Sequence, residues 1–146
     1  MNDDLRLLLK QQLILLDDAV NVLTFSEQKC QEIGIKNDLT LDELDRFESL
    51  TSRFGRLCDI LLQKIFRLID EIDLESRGTL RDRINRAEQK ELIKSAERFI
   101  ECRTLRNEIA HEYTPDNVLA IFGKVLEMTP VLVESVEMVK AYCEKY

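Results

Sequence analysis

The sequence has 146 residues, 45% of them hydrophobic and 34% charged, with a net charge of −7 at pH 7. This is the length of one domain with its own core, and four glycines and two prolines are too few for a disordered or fibrous chain. No apolar run reaches the ~18 residues of a membrane span, so we expect a single cytoplasmic domain over residues 1–146.

The apolar periodicity predicts two long helices at the start of the chain, over residues 4–33 and 41–75. Gly34 is the expected C-cap of the first helix, and Thr40 or Asp42 is the expected N-cap of the second. Two helices of this length, joined by a short connection, predict the antiparallel core of a helical bundle.

The first helix is apolar on more than one side. Besides the stripe expected to face the core, it carries Leu7, Ile14, Leu15 and Val22. A helix with this pattern is buried on several sides. The sequence therefore predicts that neighbouring helices or a second subunit cover these residues.

The rest of the chain predicts three more helices. Gly78 marks a turn, after which TLRDRINRAEQ predicts a short helix and residues 90–113 a longer one. Thr114 is the expected N-cap of a last helix, with Pro115 at its first helical position. No segment alternates like a strand, so we predict an all-α fold, an antiparallel bundle of four main helices plus a short one.

The four cysteines lie far apart and include no CxxC pair: Cys30, Cys58, Cys102 and Cys143. The chain has one histidine, so a zinc site is not expected. The pattern predicts buried free thiols in a reducing cytosol, with no metal and no cofactor.

Basic residues concentrate in residues 77–106, where nine basic and five acidic side chains give a net charge of +4. Two interpretations are open. The segment is either a basic strip that holds phosphates on an otherwise acidic protein, or an ordinary solvated helix face.

The histidine lies in RNEIAHEY, Arg106 to Tyr113, at the end of the predicted fourth helix. On a regular helix Arg103, Asn107 and His111 form one ridge, which lets Asn107 hydrogen-bond His111. Arg106 and His111 lie about 140° apart on such a helix. Either the helix loosens there, or a second copy related by a two-fold axis supplies the missing half of a shared site.

A histidine beside arginines suits the cleavage of RNA, whose own 2′-OH is the nucleophile. Histidine acts near neutral pH as a general base or acid, and arginine stabilises negative charge on phosphate oxygens. Such a reaction requires no metal. The alternative is that His111 is a solvated or helix-capping residue without a catalytic role.

The spacing R-N-x-x-x-H resembles the signature of HEPN domains, and the H-x-Y that ends at Tyr113 resembles their HepT branch. The helix order and the flanking segments GTLRDRINRAEQKELI and YTPDN are also similar. This resemblance implies a homodimeric helical toxin that cleaves RNA, paired with a minimal nucleotidyltransferase antitoxin of the MntA type. It implies Arg106 and His111 as the catalytic pair, Asn107 and Arg103 as residues that shape the site, and Tyr113 as the hydroxyl modified with AMP.

Two other interpretations remain open. Related helical bundles serve as substrate-binding subunits of nucleotidyltransferases and catalyse nothing themselves. The cleft would then hold a nucleotide, with Arg103 and Arg106 as phosphate ligands. A helical dimer that acts only as a scaffold is the other possibility. In the preferred interpretation the partners are RNA, the antitoxin and a second copy, but neither DNA nor a membrane.

Overall fold

The computed structural model describes residues 2–111, Thr114 and residues 116–146. Its helices are α1 (Asn2–Ile33), α2 (Leu41–Asp59), α3 (Phe66–Ile72), α4 (Leu80–Gln89), α5 (Ala96–His111) and α6 (Val118–Cys143). A π-helical segment (Ile60–Ile65) joins α2 to α3 without a break. The described residues contain no strand, so the predicted all-α bundle is confirmed. None of the helices described here combines the length and the apolar character that crossing a membrane requires.

The connection between α1 and α2 has helix caps of the kind that the sequence predicts. Gly34 has a φ of +79°, and its amide donates to the carbonyl of Cys30 at 2.9 Å, which ends α1. The Thr40 hydroxyl accepts from the amide of Glu43, and the Glu43 carboxylate accepts from the amide of Thr40. This capping box makes Thr40 the N-cap and leaves Asp42 in the first turn of α2.

Four rods form the bundle: α1, the continuous α2–α3 rod, α5 and α6. α1 and α5 occupy opposite corners, because each packs against both α2 and α6. The rings of Phe47 and Phe122 stack between α2 and α6 with centroids 4.9 Å apart, and those of Phe66 and Phe99 meet between α3 and α5 at 5.3 Å. Side-chain contacts run in opposite sequence directions between α1 and α2 and between α2–α3 and α5, so these neighbours are antiparallel.

The second predicted helix ends at Ile72 rather than near residue 75. Leu74 adopts a left-handed φ of 61°, and the amide of Glu75 donates to the carbonyl of Asp70 at 2.8 Å. This is a Schellman motif with leucine where glycine is usual. Because no glycine marks this helix end in the sequence, the predicted helix extended beyond the observed one.

The predicted helix over residues 90–113 begins only at Ala96. Glu91 has a φ of 61°, and the amide of Leu92 donates back into the last turn of α4, a second Schellman motif without glycine. Ser95 then starts α5, because its hydroxyl accepts from a backbone amide in the first turn. Residues 90–95 are therefore a connection, and the helix that carries the motif is shorter than predicted.

The last helix, α6, begins at Val118, and the prediction that Thr114 is its N-cap was wrong. The amide and the hydroxyl of Thr114 both donate to the side-chain oxygen of Asn117, at 3.1 and 2.9 Å, and Asn117 occupies the N-cap position. This hydrogen bonding closes a turn before the helix rather than the first turn of the helix. Pro115, predicted at the first helical position, lies outside the described residues.

The cysteines are free, as predicted, and Cys30, Cys58 and Cys102 are buried while Cys143 is half-buried. Burial raises the pKa of the Cys102 thiol to about 12 and that of Cys30 to about 11, although the charge of Arg46 opposes the rise at Cys30. Thiols with such pKa values stay protonated at neutral pH. These cysteines therefore act as small hydrophobic core residues.

Candidate functional site

Arg106 of α5 reaches across to α2 and makes a two-pronged ion pair with Asp59. Its Nε donates to Asp59 Oδ1 and its Nη2 to Oδ2, both at 2.8 Å. These hydrogen bonds raise the pKa of Arg106 above its usual value. The aliphatic stem of Arg106 passes over Gly55, where an added Cβ would lie 3.7 Å from the Arg106 Cγ. Asp59 thus fixes the plane of the guanidinium group, and Nη1 makes no contact with the carboxylate.

A groove of about 420 Å³ lies between the α2–α3 rod and α5, and Arg106 forms part of its wall. The rod contributes Arg56, Asp59 and Lys64, while Ile109 extends the α5 side. Lys64 belongs to the π-helical segment. Single π-helical turns within α-helices are frequent at functional sites, and this one borders the groove directly.

The predicted hydrogen bond between Asn107 and His111 does not form among the residues that the structure describes. Asn107 Oδ1 instead accepts a long hydrogen bond from Arg106 Nη1 at 3.5 Å. His111 is the exposed last residue of α5 and does not line the groove. One chain thus brings Arg106, Asn107 and Asp59 together and leaves His111 outside the groove.

Arg103 is half-buried on α5, one turn before Asn107. Burial raises the pKa of the Cys58 thiol, and the positive charges of Arg106 and Arg103 oppose that rise. Arg103 precedes Arg106 by three residues, about 60° around the helix, so it lies on the same side of α5 as Arg106. Tyr113, the predicted site of modification, lies outside the described residues.

The basic segment 77–106 is partly occupied by ion pairs within the bundle. Arg86 donates to the buried carboxylate of Asp70 through Nε and Nη2, at 3.1 and 3.0 Å, and Lys90 reaches the other oxygen at 2.9 Å. Arg86 and Lys90 are mostly buried and held by Asp70, so a phosphate would have to displace that carboxylate to bind them. This segment is therefore neither a continuous phosphate strip nor a purely solvated face, and much of its charge joins α3 to α4.

Sequence reasoning missed Asp59, Arg56 and Lys64, which lie far from the motif along the chain. Asp59 did leave a signal, because it is the charged residue within the apolar run LCDILL. A charged residue in such a run needs a partner once the helix packs. The sequence does not say which cation supplies it.

The groove has the chemistry of a phosphate site. Within the described residues, no group of three His, Cys, Asp or Glu side chains could hold a metal ion. A guanidinium group held in a fixed plane, with two further cations nearby, suits phosphate oxygens. The apolar side chain of Ile109 offers a wall for a sugar or a base.

The comparisons with known proteins assign no family. The chain matches no protein-family model, and a search of curated proteins gives no match. An all-α bundle by itself supports many activities, so the chemistry of the groove and of the motif helix is what bears on function.

Proposed function

We propose that the protein is a cytoplasmic HEPN-type toxin of the HepT branch, a homodimeric endoribonuclease that needs no metal. The observation that carries this proposal is the arrangement of Arg106, fixed by Asp59 at a cationic groove, five residues before the exposed His111. The pair supplies a stabiliser of phosphate charge and a proton carrier. These are the two functions that cleavage of RNA by its own 2′-OH requires.

In the proposed reaction the 2′-oxygen attacks the adjacent phosphorus and the bond to the 5′-oxygen breaks. The products are a strand ending in a 2′,3′-cyclic phosphate and a strand beginning with a 5′-OH. A histidine takes the 2′-OH proton and a second proton carrier protonates the leaving oxygen. With one histidine per chain, two copies of His111 across a two-fold axis would supply both functions.

A composite site agrees with the geometry of the single chain. Arg106 faces α2, whereas His111 is exposed at the end of α5 and outside the groove. If two α5 helices met across a two-fold axis, Arg106 of one chain would act with His111 of the other. Asn107 and Arg103 would shape that site, Asn107 through its contact with Arg106.

The proposed regulation rests on the resemblance of the motif alone. A minimal nucleotidyltransferase antitoxin of the MntA type would transfer AMP to the hydroxyl of Tyr113. Each AMP adds about one negative charge at a residue only two positions after His111 in the sequence, and it would compete with RNA phosphate for the arginines. A Tyr113→Phe variant should cleave RNA normally and resist this neutralisation.

The direct test is cleavage of total cellular RNA, including tRNA, by purified protein in EDTA. We expect cleavage by the wild type and none by His111→Ala, with the same oligomeric state for both proteins. Lys10→Ala, an exposed change on α1, is the matched control and should cleave like the wild type. Equal cleavage by His111→Ala would remove His111 from the reaction.

One observation also favours the rival function, a nucleotide-binding subunit of a nucleotidyltransferase. A groove of about 420 Å³, lined by both cations and apolar side chains, has the size and chemistry that a nucleotide requires. That protein would bind nucleotide through Arg106, would leave RNA intact and would not arrest the growth of its host. Expression of the chain alone, without a partner, separates the two functions.

A further inference from the structure

Two cations in the groove differ from Arg86 and Lys90 of the segment 77–106. Arg56 and Lys64 are both exposed and both line the groove. Within the described residues neither forms an ion pair, whereas Arg86 and Lys90 are held by carboxylates. An unpaired cation gives up no existing partner when it binds an anion. Two cations without a carboxylate partner therefore lie beside Arg106, on α2 and the π-helical segment.

The spacing of these cations fits an extended strand rather than a single anion. Arg56 and Lys64 are eight residues apart on one rod, about 12 Å along its axis, and Asp59 lies between them. Asp59 holds Arg106 at this intermediate position. Cations that follow one groove track the backbone of a single strand without reading its bases.

We propose that Arg56 and Lys64 bind the phosphates on either side of the one at Arg106, in a single-stranded RNA lying along the groove. This deepens the proposed function and rests on it. Arg106 then contacts the scissile phosphate, and the two flanking cations hold the strand in register. The apolar side chain of Ile109 is left to contact sugars or bases.

The test measures binding without cleavage, in the His111→Ala background. A fluorescent oligouridylate is titrated against His111→Ala alone and combined with Arg56→Ala, Lys64→Ala or Lys10→Ala, at a series of salt concentrations. Each groove substitution should weaken binding and reduce the slope of log affinity against log salt by about 0.7, the loss of one phosphate contact on a single strand. Lys10→Ala is the control, since Lys10 lies on α1 at the opposite corner of the bundle.

The outcomes test the proposed phosphate contacts separately from the proposed nuclease function. Unchanged salt slopes for both groove variants, or no binding of the oligouridylate by the parent, would overturn it. A reduced slope in a protein whose wild type does not cleave would support the phosphate contacts and contradict the nuclease function. All the substituted side chains are exposed, so circular dichroism should report unchanged folding.

A second feature of the molecule is an exposed apolar face on α1. Of the nine large hydrophobic side chains exposed in the described residues, six lie on one face of this helix: Leu7, Leu8, Ile14, Leu15, Val22 and Phe25. Four of them are the residues whose burial the sequence predicted, and no neighbouring helix covers them. The face runs for about 27 Å along the helix. Monomeric proteins rarely expose a continuous apolar surface of this kind.

The face is complementary to itself. If two α1 helices pack antiparallel about a two-fold axis between Ile14 and Leu15, these two residues face each other across the axis. Leu7 then lies opposite Val22, so four of the six apolar residues meet in pairs along the seam, while Leu8 and Phe25 come opposite Asn21 and Asp4. The exposed polar residues Gln11 and Asp18 also come opposite each other, and an amide donates well to a carboxylate. Six such side chains from each copy bury on the order of 1,000 Å² in total, the lower range of specific interfaces.

We infer that this face of α1 packs against α1 of a second copy. Because α1 and α5 occupy opposite corners of the bundle, this contact does not bring two motif helices together. It is therefore distinct from the two-fold contact that the composite site requires. A chain with both contacts assembles beyond a dimer.

The mass in solution, measured by light scattering after gel filtration, tests this inference. We expect Ile14→Glu and Leu15→Glu to halve the mass of the wild-type assembly. Leu41→Glu is the matched control, because Leu41 is 85% exposed but lies off the face, and its mass should not change. A wild-type monomer, or the same mass for the wild type and both α1 variants, would overturn the inference.

Discussion

Asp59 and Arg106 meet through two parallel hydrogen bonds of 2.8 Å, although 47 residues separate them in the chain. Their side chains are 41% and 33% exposed, so the pair contributes only about 0–1 kcal/mol to folding. Its effect is geometric, because a guanidinium group bound through Nε and Nη2 keeps one orientation. Asp59 is therefore a positioning residue for Arg106 in the proposed reaction.

Asp59→Asn tests this role. The substitution keeps the size of the side chain and removes one acceptor and the charge, so Arg106 loses its fixed orientation. We expect kcat for RNA cleavage to fall about 10- to 100-fold, the usual cost of a misplaced catalytic group. The affinity for RNA should stay the same or rise, since a negative charge leaves the groove.

The control for that prediction is Asp59→Glu, which can still bind Arg106 in a bidentate manner and should recover part of kcat. Thermal unfolding of each variant checks that the fold is intact. A kcat for Asp59→Asn within a factor of two of the wild type would show that Asp59 does not position Arg106.

The composite site predicts complementation between two inactive variants. Arg106→Ala and His111→Ala should each fail to cleave RNA alone. When the two are mixed and their subunits exchange, half of the dimers contain both variants, and each of these pairs one intact Arg106 with the intact His111 of the other chain. The mixture should therefore recover activity, at most about a quarter of the wild-type value, because the second His111 is absent.

A site formed within one chain gives the opposite result. In that case each mixed dimer holds two incomplete sites, and mixing restores nothing. Subunit exchange has to be shown separately, by energy transfer between differently labelled copies. Exchange without recovered activity would contradict the composite site while leaving Arg106 and His111 as required residues.

The helices that the sequence predicted best are those whose ends carry their own signals. Gly34 and Thr40 mark the end of α1 and the start of α2 through local hydrogen bonds, so a local pattern suffices. The ends of α3 and α4 carry no such signal, because Leu74 and Glu91 take a conformation that glycine usually adopts. Ser95 did mark the start of α5, but the periodicity of residues 90–95 concealed it.

In the candidate site, too, some features follow from the local sequence and others depend on how the helices pack. Arg106 and His111 are local on one helix, and their spacing alone shows that they diverge. The partner of Arg106 and the unpaired cations of the groove depend on how α5 packs against α2, which no local pattern encodes. The ion pairs of Asp70 also depend on how the helices pack. They hold Arg86 and Lys90, which the charge count alone assigned to a basic strip.

The left-handed leucine at the end of α3 predicts a stabilising substitution. Leu74 is 83% exposed with a φ of 61°, a conformation that costs a side-chain-bearing residue about 1–2 kcal/mol. Leu74→Gly should therefore raise the free energy of unfolding by about 1 kcal/mol, measured by urea denaturation. Leu41→Gly, an equally exposed change in the first turn of α2, should not stabilise the protein, and equal effects of the two would contradict this explanation.

Asp73 links the end of α3 to the C-terminal residues, and it makes the free energy of unfolding depend on pH in the acid range. Its carboxylate accepts from the hydroxyls of Tyr142 and Tyr146, both at 2.6 Å, and pairs with Lys90 at 3.0 Å. Partial burial raises the pKa of Asp73, but these three donors together outweigh burial and hold its pKa below the ordinary value. The folded state therefore binds a proton at Asp73 less readily than the unfolded state does.

A carboxyl whose pKa is lower in the folded state stabilises the fold above the unfolded pKa, about 3.9, and loses that effect as the pH falls through the folded pKa. We expect the free energy of unfolding to decline below about pH 4. Asp73→Asn should be about 1–3 kcal/mol less stable than the wild type at pH 7, and the difference should shrink in acid. Urea denaturation from pH 7 to pH 2 measures both curves, with Asp38→Asn as an exposed control. A constant difference between Asp73→Asn and the wild type at every pH would mean that the Asp73 charge does not stabilise the C-terminus.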